Sequence, residues 1–152
     1  MTDDSLLLRC ITCFSLNRLP ESRLKQRPLC GKCKAVLEVP AGPVAAVPAN
    51  LDRDIAYWPE TLLMTFTSRW CVYCKIYNPV VSSLAEERSG RLKVITVDVD
   101  AHPDLAKRHN VTKTPTFVVF KNGTMVVRMD GAPKDKNELI TWVENLINYQ
   151  SY

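Results

Sequence analysis

Six cysteines fall into three pairs of one spacing: Cys10-Ile-Thr-Cys13, Cys30-Gly-Lys-Cys33 and Cys71-Val-Tyr-Cys74. Thiols placed this way can aim two thiolates at one metal ion, or cycle between dithiol and disulfide. In a reducing cytosol such pairs read as metal ligands or redox centres rather than as a disulfide framework. The first two pairs are 16 residues apart, inside the window for a tetrahedral zinc site. Cys10, Cys13, Cys30 and Cys33 would together leave no open position for water, so one structural zinc ion is expected. Its binding would supply on the order of 10 kcal/mol to the folding of residues 8–35. Gly31 is expected to carry the tight bend after Cys30. The other readings of these four thiols are a rubredoxin-like iron site, two disulfides, or spectator thiols. A nucleic-acid-binding ribbon is a further candidate, because Arg9, Arg18, Arg23, Lys25, Arg27, Lys32 and Lys34 lie here. Only Phe14 offers a stacking surface and a tetrathiolate adds negative charge, so the basic residues read as a solvated face and no nucleic-acid partner is expected.

The third pair stands in a different context, after an apolar run and at the start of a helical pattern. Backbone N–H groups at a helix N-terminus stabilise a thiolate, which makes Cys71 the exposed nucleophile. Cys71 would attack a substrate disulfide, and Cys74, one helical turn on, would resolve the mixed disulfide. A metal site at this pair would lack the second pair needed to complete it. Thr114-Pro115-Thr116 precedes a later strand and is a candidate for a cis bond. Pro79, inside the helix that follows Cys74, predicts a kink.

These residues need elements to position them. Residues 51–58 and 75–88 have helical spacing, whereas 62–67, 92–98 and 116–120 are apolar or β-branched runs suited to buried strands. A short helix is predicted over 103–109, and Lys121-Asn-Gly-Thr124 is a hairpin signal leading into 125–128. Residues 136–148 place Leu139, Ile140, Val143, Leu146 and Ile147 on one helical face. The β-α-β-α-β order favours parallel pairing of the first strands, giving an α/β mixed sheet with helices on both faces.

Upstream, residues 1–37 have too few large apolar residues for a core of their own and need a metal staple. Residues 38–50, with Pro40, Pro43 and Pro48, read as a Pro/Ala-rich linker in which 44–47 suits a short edge strand. The expected division is therefore a zinc-binding module over 1–37, a linker over 38–50 and an α/β domain over 51–152, with a possible earlier start near 44. Lys and Arg number 20 against 16 Asp and Glu, a net charge of +4 that selects no partner class. No run approaches the roughly 18 apolar residues of a membrane span, and the first residues lack the basic region of a secretory signal, so a cytoplasmic protein without a membrane partner is expected. His102 and His109 read as surface or capping residues. Asp98 and Asp100 read as turn formers, and Tyr57, Trp58, Tyr149 and Tyr152 as packing or tail. The five glycines form no phosphate-binding loop, and no bound organic cofactor is expected.

W-C-x-x-C, Pro79 five residues on, V-D-V-D at 97–100, T-P-T at 114–116 and F-K-N-G at 120–123 occur in one order. In this combination the chain resembles the thioredoxin family over about residues 45–148. The preceding C-x-x-C and C-G-x-C pairs are similar to its zinc-containing bacterial thioredoxin 2 branch. The resemblance implies a thioredoxin fold with a small zinc-ribbon-like module, reduction of protein disulfides, and recycling by a flavin- and NADPH-dependent thioredoxin reductase. It places Trp70, Val72, Tyr73, Thr114 and Pro115 against substrate, with Cys71 and Cys74 catalytic. Two departures stand out. Val72-Tyr73 replaces the usual Gly-Pro, which allows as an alternative a more oxidising, glutaredoxin- or isomerase-like enzyme. Thr65 and Thr96 stand where the family carries a buried Asp and its Lys partner, so the charge pair is absent from both sides. The alternative from another class is a redox-regulated zinc module that binds protein partners.

Overall fold

The computed structural model describes residues 5–39 and 41–148, so Tyr149 and Tyr152 lie outside it. A five-stranded sheet has the order β3-β5-β4-β6-β7. It is built from β3 (Val44–Ala45), β4 (Thr61–Thr67), β5 (Leu92–Asp98), β6 (Thr116–Lys121) and β7 (Thr124–Asp130). The first three are parallel, and β6 and β7 are antiparallel to their neighbours. The hairpin expected at Asn122-Gly123 joins β6 to β7, with both residues at positive φ as a tight hairpin turn requires.

Side chains along β4 and β5 alternate between two apolar layers. Leu62, Met64, Phe66, Ile95 and Val97 pack on one face with Leu51, Ile55 and Trp58, from or just after α1 (Leu51–Tyr57), and with Leu105 of α3 (Pro103–Arg108). Leu63, Leu92, Val94, Phe117 and Val119 pack on the other, under α2 (Val72–Glu87) and α4 (Lys136–Asn148). Tyr57 and Trp58 are both buried, the Trp58 indole donating to the Thr61 carbonyl at 2.9 Å. Helix α2 begins three residues before the expected position and runs through Pro79 to Glu87.

Ahead of the sheet, β1 (Ser5–Arg9) and β2 (Leu16–Pro20) form an antiparallel hairpin around the first cysteine pair. Periodicity did not reveal this hairpin. Its inward residues Leu6 and Leu8 are fully buried. Leu8, Cys10, Cys30 and Leu37 belong to the same apolar layer as Leu51, Trp58 and Leu62, so the cysteine-rich segment shares a core with the sheet. The contacts fall where β4 and β5 begin: Leu7 N–H donates to Glu60 Oε1 at 3.4 Å, and Arg91 lies 3.9 Å from Glu21. A Cβ on Gly90 would come within 2.7 Å of Leu24 and 2.8 Å of Leu6, so glycine is needed for the hairpin to sit this close. Among the described residues no helix is long and apolar enough to cross a membrane.

Candidate functional site

Two sites are built from the three cysteine pairs. At the first, the Sγ atoms of Cys10, Cys13, Cys30 and Cys33 all lie within 4.8 Å of one another. The Cys10–Cys33 and Cys13–Cys30 separations are both 3.6 Å. A tetrahedral zinc with Zn–S bonds of about 2.3 Å has S–S edges of about 3.8 Å, so the four thiols fit the ion. The two knuckles repeat one backbone pattern. Cys10 N–H donates to Ser15 O at 2.9 Å and Cys30 N–H to Ala35 O at 2.8 Å, while Phe14 and Lys34 donate back to Cys10 and Cys30 at 2.8 and 3.0 Å. The left-handed residues of the two turns are Phe14 and Lys34, at φ 66° and 68°, not Gly31, where the bend was expected. The Gly31 amide instead donates to Asn17 Oδ1 at 2.9 Å.

Hydrogen bonds favour the thiolate at Cys30 and Cys13, whereas at Cys33, despite the Ala35 amide, burial and the neighbouring thiols of Cys10, Cys13 and Cys30 push the pKa up to about 11. The Ser15 hydroxyl, 3.2 Å from Cys30 Sγ, and the backbone N–H of Cys33 bring the Cys30 thiol down to about 5, and Ser15 also lowers Cys13. Ser15 and Asn17 were not legible as partners of the site, since neither spacing nor residue type marks an outer-sphere group. Arg9 is no purely solvated cation either. Its Nε donates to the Tyr57 carbonyl at 3.2 Å and its Nη1 to the Phe14 carbonyl at 3.1 Å, tying the first knuckle to α1.

The second site lies at the opposite end of β4, about 20 Å along a strand of seven residues. Cys71 is the N-cap of α2, its Sγ accepting from Cys74 N–H at 3.1 Å, and the two cysteines are joined as a disulfide with Cα atoms 5.2 Å apart. Cys71 is partly exposed, whereas Cys74 is 1% exposed. Around them Trp70, Val72 and Tyr73 are 81%, 68% and 57% exposed, an apolar rim that the fold leaves open to solvent. Register brings the expected proline beside this loop: Phe66 at the end of β4 pairs with Thr116 at the start of β6, and the Thr114–Pro115 bond is cis.

Asp100 does more than form a turn. Its Oδ2 accepts from Ser68 Oγ at 2.8 Å and from Arg69 N–H at 3.3 Å, and Ser68 Oγ accepts from Trp70 N–H at 3.3 Å. Asp98 Oδ1 accepts from the amides of Asp100 and Ala101, the turn role expected of it. The loop entering Cys71 is thus pinned to the end of β5. Thr65 and Thr96 are register partners on β4 and β5, and together with Thr67, Asn78 and Ser82 they line a cavity of about 260 Å³ under α2. His102 stands at the N-cap of α3 without a side-chain capping bond. His109 stands at its C-cap, its ring 5.6 Å from that of Phe66, and burial lowers its pKa.

A family model described as Thioredoxin matches residues 42–145, the segment that carries this pair, the cis-proline and the sheet. The chain belongs to the thioredoxin family. A second model, described as Thioredoxin 2, N-terminal, matches residues 9–35, which contain all four clustered cysteines. Thioredoxin C-3 of Corynebacterium nephridii is 28% identical over 145 residues, covering 95% of this chain and 98% of its own. A thioredoxin of Mycobacterium tuberculosis is 33% identical over 99 residues, 65% of this chain and 84% of its own. In structure, a single-site mutant of a thioredoxin from Halobacterium salinarum superposes with a TM-score of 0.64 at 28% identity, covering 74% of this chain and 96% of that one. The chain is accordingly a thiol–disulfide oxidoreductase with a zinc-ribbon segment ahead of its thioredoxin domain.

Proposed function

We propose that the chain reduces protein disulfides with Cys71 as nucleophile and Cys74 as resolving thiol. The observation that carries this is the asymmetry of the pair, an accessible sulfur at a helix N-cap beside a buried one. In the reduced protein the Cys71 thiolate attacks one substrate sulfur, the substrate S–S bond breaks, and the departing substrate thiolate takes up a proton. Cys74, losing its proton, then attacks Cys71 Sγ and expels the second substrate thiol. Two electrons pass to the substrate, and the Cys71–Cys74 disulfide remains. Trp70, Val72 and Tyr73 give the substrate an apolar surface, and Thr114 with Pro115 offers backbone beside it. A flavin-dependent, NADPH-consuming thioredoxin reductase returns the pair to the dithiol, and the setting is the cytoplasm. Cys10, Cys13, Cys30 and Cys33 hold one structural zinc ion, within a module over residues 1–37 that a linker over 38–50 joins to the domain. Zinc supplies cross-linking there and no redox chemistry.

The midpoint potential of the Cys71/Cys74 couple, titrated in defined thiol buffers, tests this reading. A value near the roughly −270 mV of thioredoxin is expected; one near the roughly −180 mV of a disulfide isomerase would make the protein an oxidant and overturn it.

A second expectation concerns Thr65. With hydroxyls rather than a carboxylate in the cavity under α2, no strong base helps deprotonate Cys74, so mixed disulfides should persist. Thr65→Asp should speed their resolution roughly 10- to 100-fold, at or below the lower end of what a positioned general base contributes. Stopped-flow reduction of a model disulfide reads the step. An unchanged or slower rate in the variant would count against a missing base.

A further inference from the structure

A cavity of about 610 Å³ lies between the 38–47 segment, α1 and the start of β5. Much of its wall is aliphatic, with Ile11 from the first knuckle and Val39, Val44 and Val47 from the segment that joins ribbon to sheet. Lys93 and Tyr57 line it as well. We propose that Lys93 is a carbonyl-capture site, at which an aldehyde with an aliphatic tail occupies the cavity and forms an imine with Nζ, Tyr57 passing protons between that nitrogen and Glu38. The site is separate from the redox pair, since Lys93 pairs with Leu62 near the start of β4 and Cys71 follows the end of that strand.

Lys93 is 8% exposed, and among the described residues its Nζ has one hydrogen-bond partner, the Tyr57 hydroxyl at 3.0 Å. A buried ammonium is ordinarily bonded to a carboxylate, and this one is bonded to a phenol. The Tyr57 hydroxyl donates in turn to Glu38 Oε2 at 3.5 Å, and Glu38 is exposed, so a hydrogen-bonded path runs from the buried nitrogen to solvent. Burial lowers the pKa of Lys93 against the pull of Asp54 and Glu38, which brings the neutral amine within easier reach, as in lysines that form Schiff bases in apolar pockets. Burial and the carboxylates of Glu38 and Asp54 push Tyr57 up to about 12, so it remains a hydroxyl able both to accept and to donate.

Charge selects the class of ligand. Lys93 and Arg53 stand against Glu38 and Asp54, so the ionised groups around the cavity sum to zero. A carboxylate or an ammonium ligand would leave one charge unbalanced in a partly buried place, and acylation of Nζ would remove a cation. A neutral carbonyl does neither. The ammonium first gives a proton through Tyr57 to Glu38. The amine lone pair then forms the C–N bond as the C=O π pair moves onto oxygen. That oxygen takes one proton from the nitrogen and one back from Glu38, and it leaves as water. Overall an ammonium and an aldehyde give a protonated imine and one water, no electrons are transferred, and the positive charge stays at Nζ, 4.5 Å from the centre of the Tyr57 ring.

The test uses the full-length, zinc-loaded protein with its Cys71–Cys74 disulfide intact, hexanal as the probe and cyanoborohydride to reduce the imine to a stable secondary amine. Peptide mass spectrometry reads each lysine. At neutral pH Lys93 should be labelled roughly tenfold faster than the exposed Lys75 and Lys113. Formaldehyde, which has no tail, should show less of that preference. Tyr57→Phe keeps the ring and removes the relay, and should slow labelling of Lys93 about 10- to 100-fold while leaving Lys75 unchanged. Glu38→Gln makes the same break at an exposed position, and a melting curve of each variant confirms that it is folded. Labelling of wild-type Lys93 no faster than that of Lys75 would overturn the site and leave Lys93 a packing residue. An equal preference with formaldehyde would overturn the role of the aliphatic wall, and an unchanged rate at Lys93 in either folded variant would overturn the relay.

Discussion

Cys71→Ser should lower the rate of insulin-disulfide reduction at least 1,000-fold, to the background of the added reductant, because a hydroxyl at this position has no thiolate to offer. The geometry makes the complementary variant as informative. Cys74 is buried behind Cys71, so Cys74→Ser should retain the attack, complete a single turnover at most, and accumulate a mixed disulfide through Cys71. Mass spectrometry of that adduct would identify the attacking sulfur directly. An adduct through Cys74 in Cys71→Ser, formed at a rate near wild type, would reverse the assignment. Retained reduction in Cys71→Ser would turn attention to the ribbon thiols and to a redox-regulated zinc module.

Removing metal should unfold the ribbon and loosen part of the thioredoxin domain with it. Structural zinc in small modules contributes on the order of 10 kcal/mol. Here the loss reaches further than the knuckles, since Leu8 and Leu37 share an apolar layer with Leu51, Trp58 and Leu62, and Leu6 and Leu24 fill the space that a side chain at Gly90 would need. Chelation, or Cys30→Ser, should release one zinc per chain, remove amide protection over residues 5–9 and lower the melting temperature of the whole protein. The readouts are colorimetric zinc assay, hydrogen exchange and calorimetry on the same sample. A chelator that strips zinc but leaves both protection and melting unchanged would show that the shared core holds the hairpin without the ion.

Much of this was legible in the chain. The apolar run at 62–67 and the β-branched run at 92–98 marked the buried strands because parallel strands covered on both faces need continuous apolar sequence. Residues 136–148 gave α4 because its apolar positions recur with helical period. The start of α2 was displaced because its cap is a sulfur, and cysteine is not among the residues whose side chains ordinarily signal an N-cap. The hairpin of β1 and β2 escaped notice because its strands are short and a cysteine knuckle fills the turn, where hairpin signals such as Asn-Gly would stand.

Long-range polar pairs were the least legible. Ser68 and Asp100 are 32 residues apart, and only the packing of β4 beside β5 shows that one holds the other. Lys93 is a stronger case. It sits in a strand at 8% exposure, its Nζ donating to the Tyr57 hydroxyl at 3.0 Å and lying 4.5 Å from the ring centre, and burial lowers its pKa. Composition treats a lysine as surface, and nothing local in the sequence contradicts that.

The two sets of cysteines stand at opposite ends of the same strands. Cysteines bridge only when their Cα atoms come within about 7 Å, and the length of β4 alone is about three times that. Ribbon thiols oxidised to a disulfide are therefore out of reach of Cys71 in the same molecule, although they form the kind of bond that Cys71 breaks. Repair has to come from a second copy or another reductant, which makes self-repair second order in protein concentration. A dilute sample and a concentrated one, oxidised to the same degree, would recover their zinc sites at different rates.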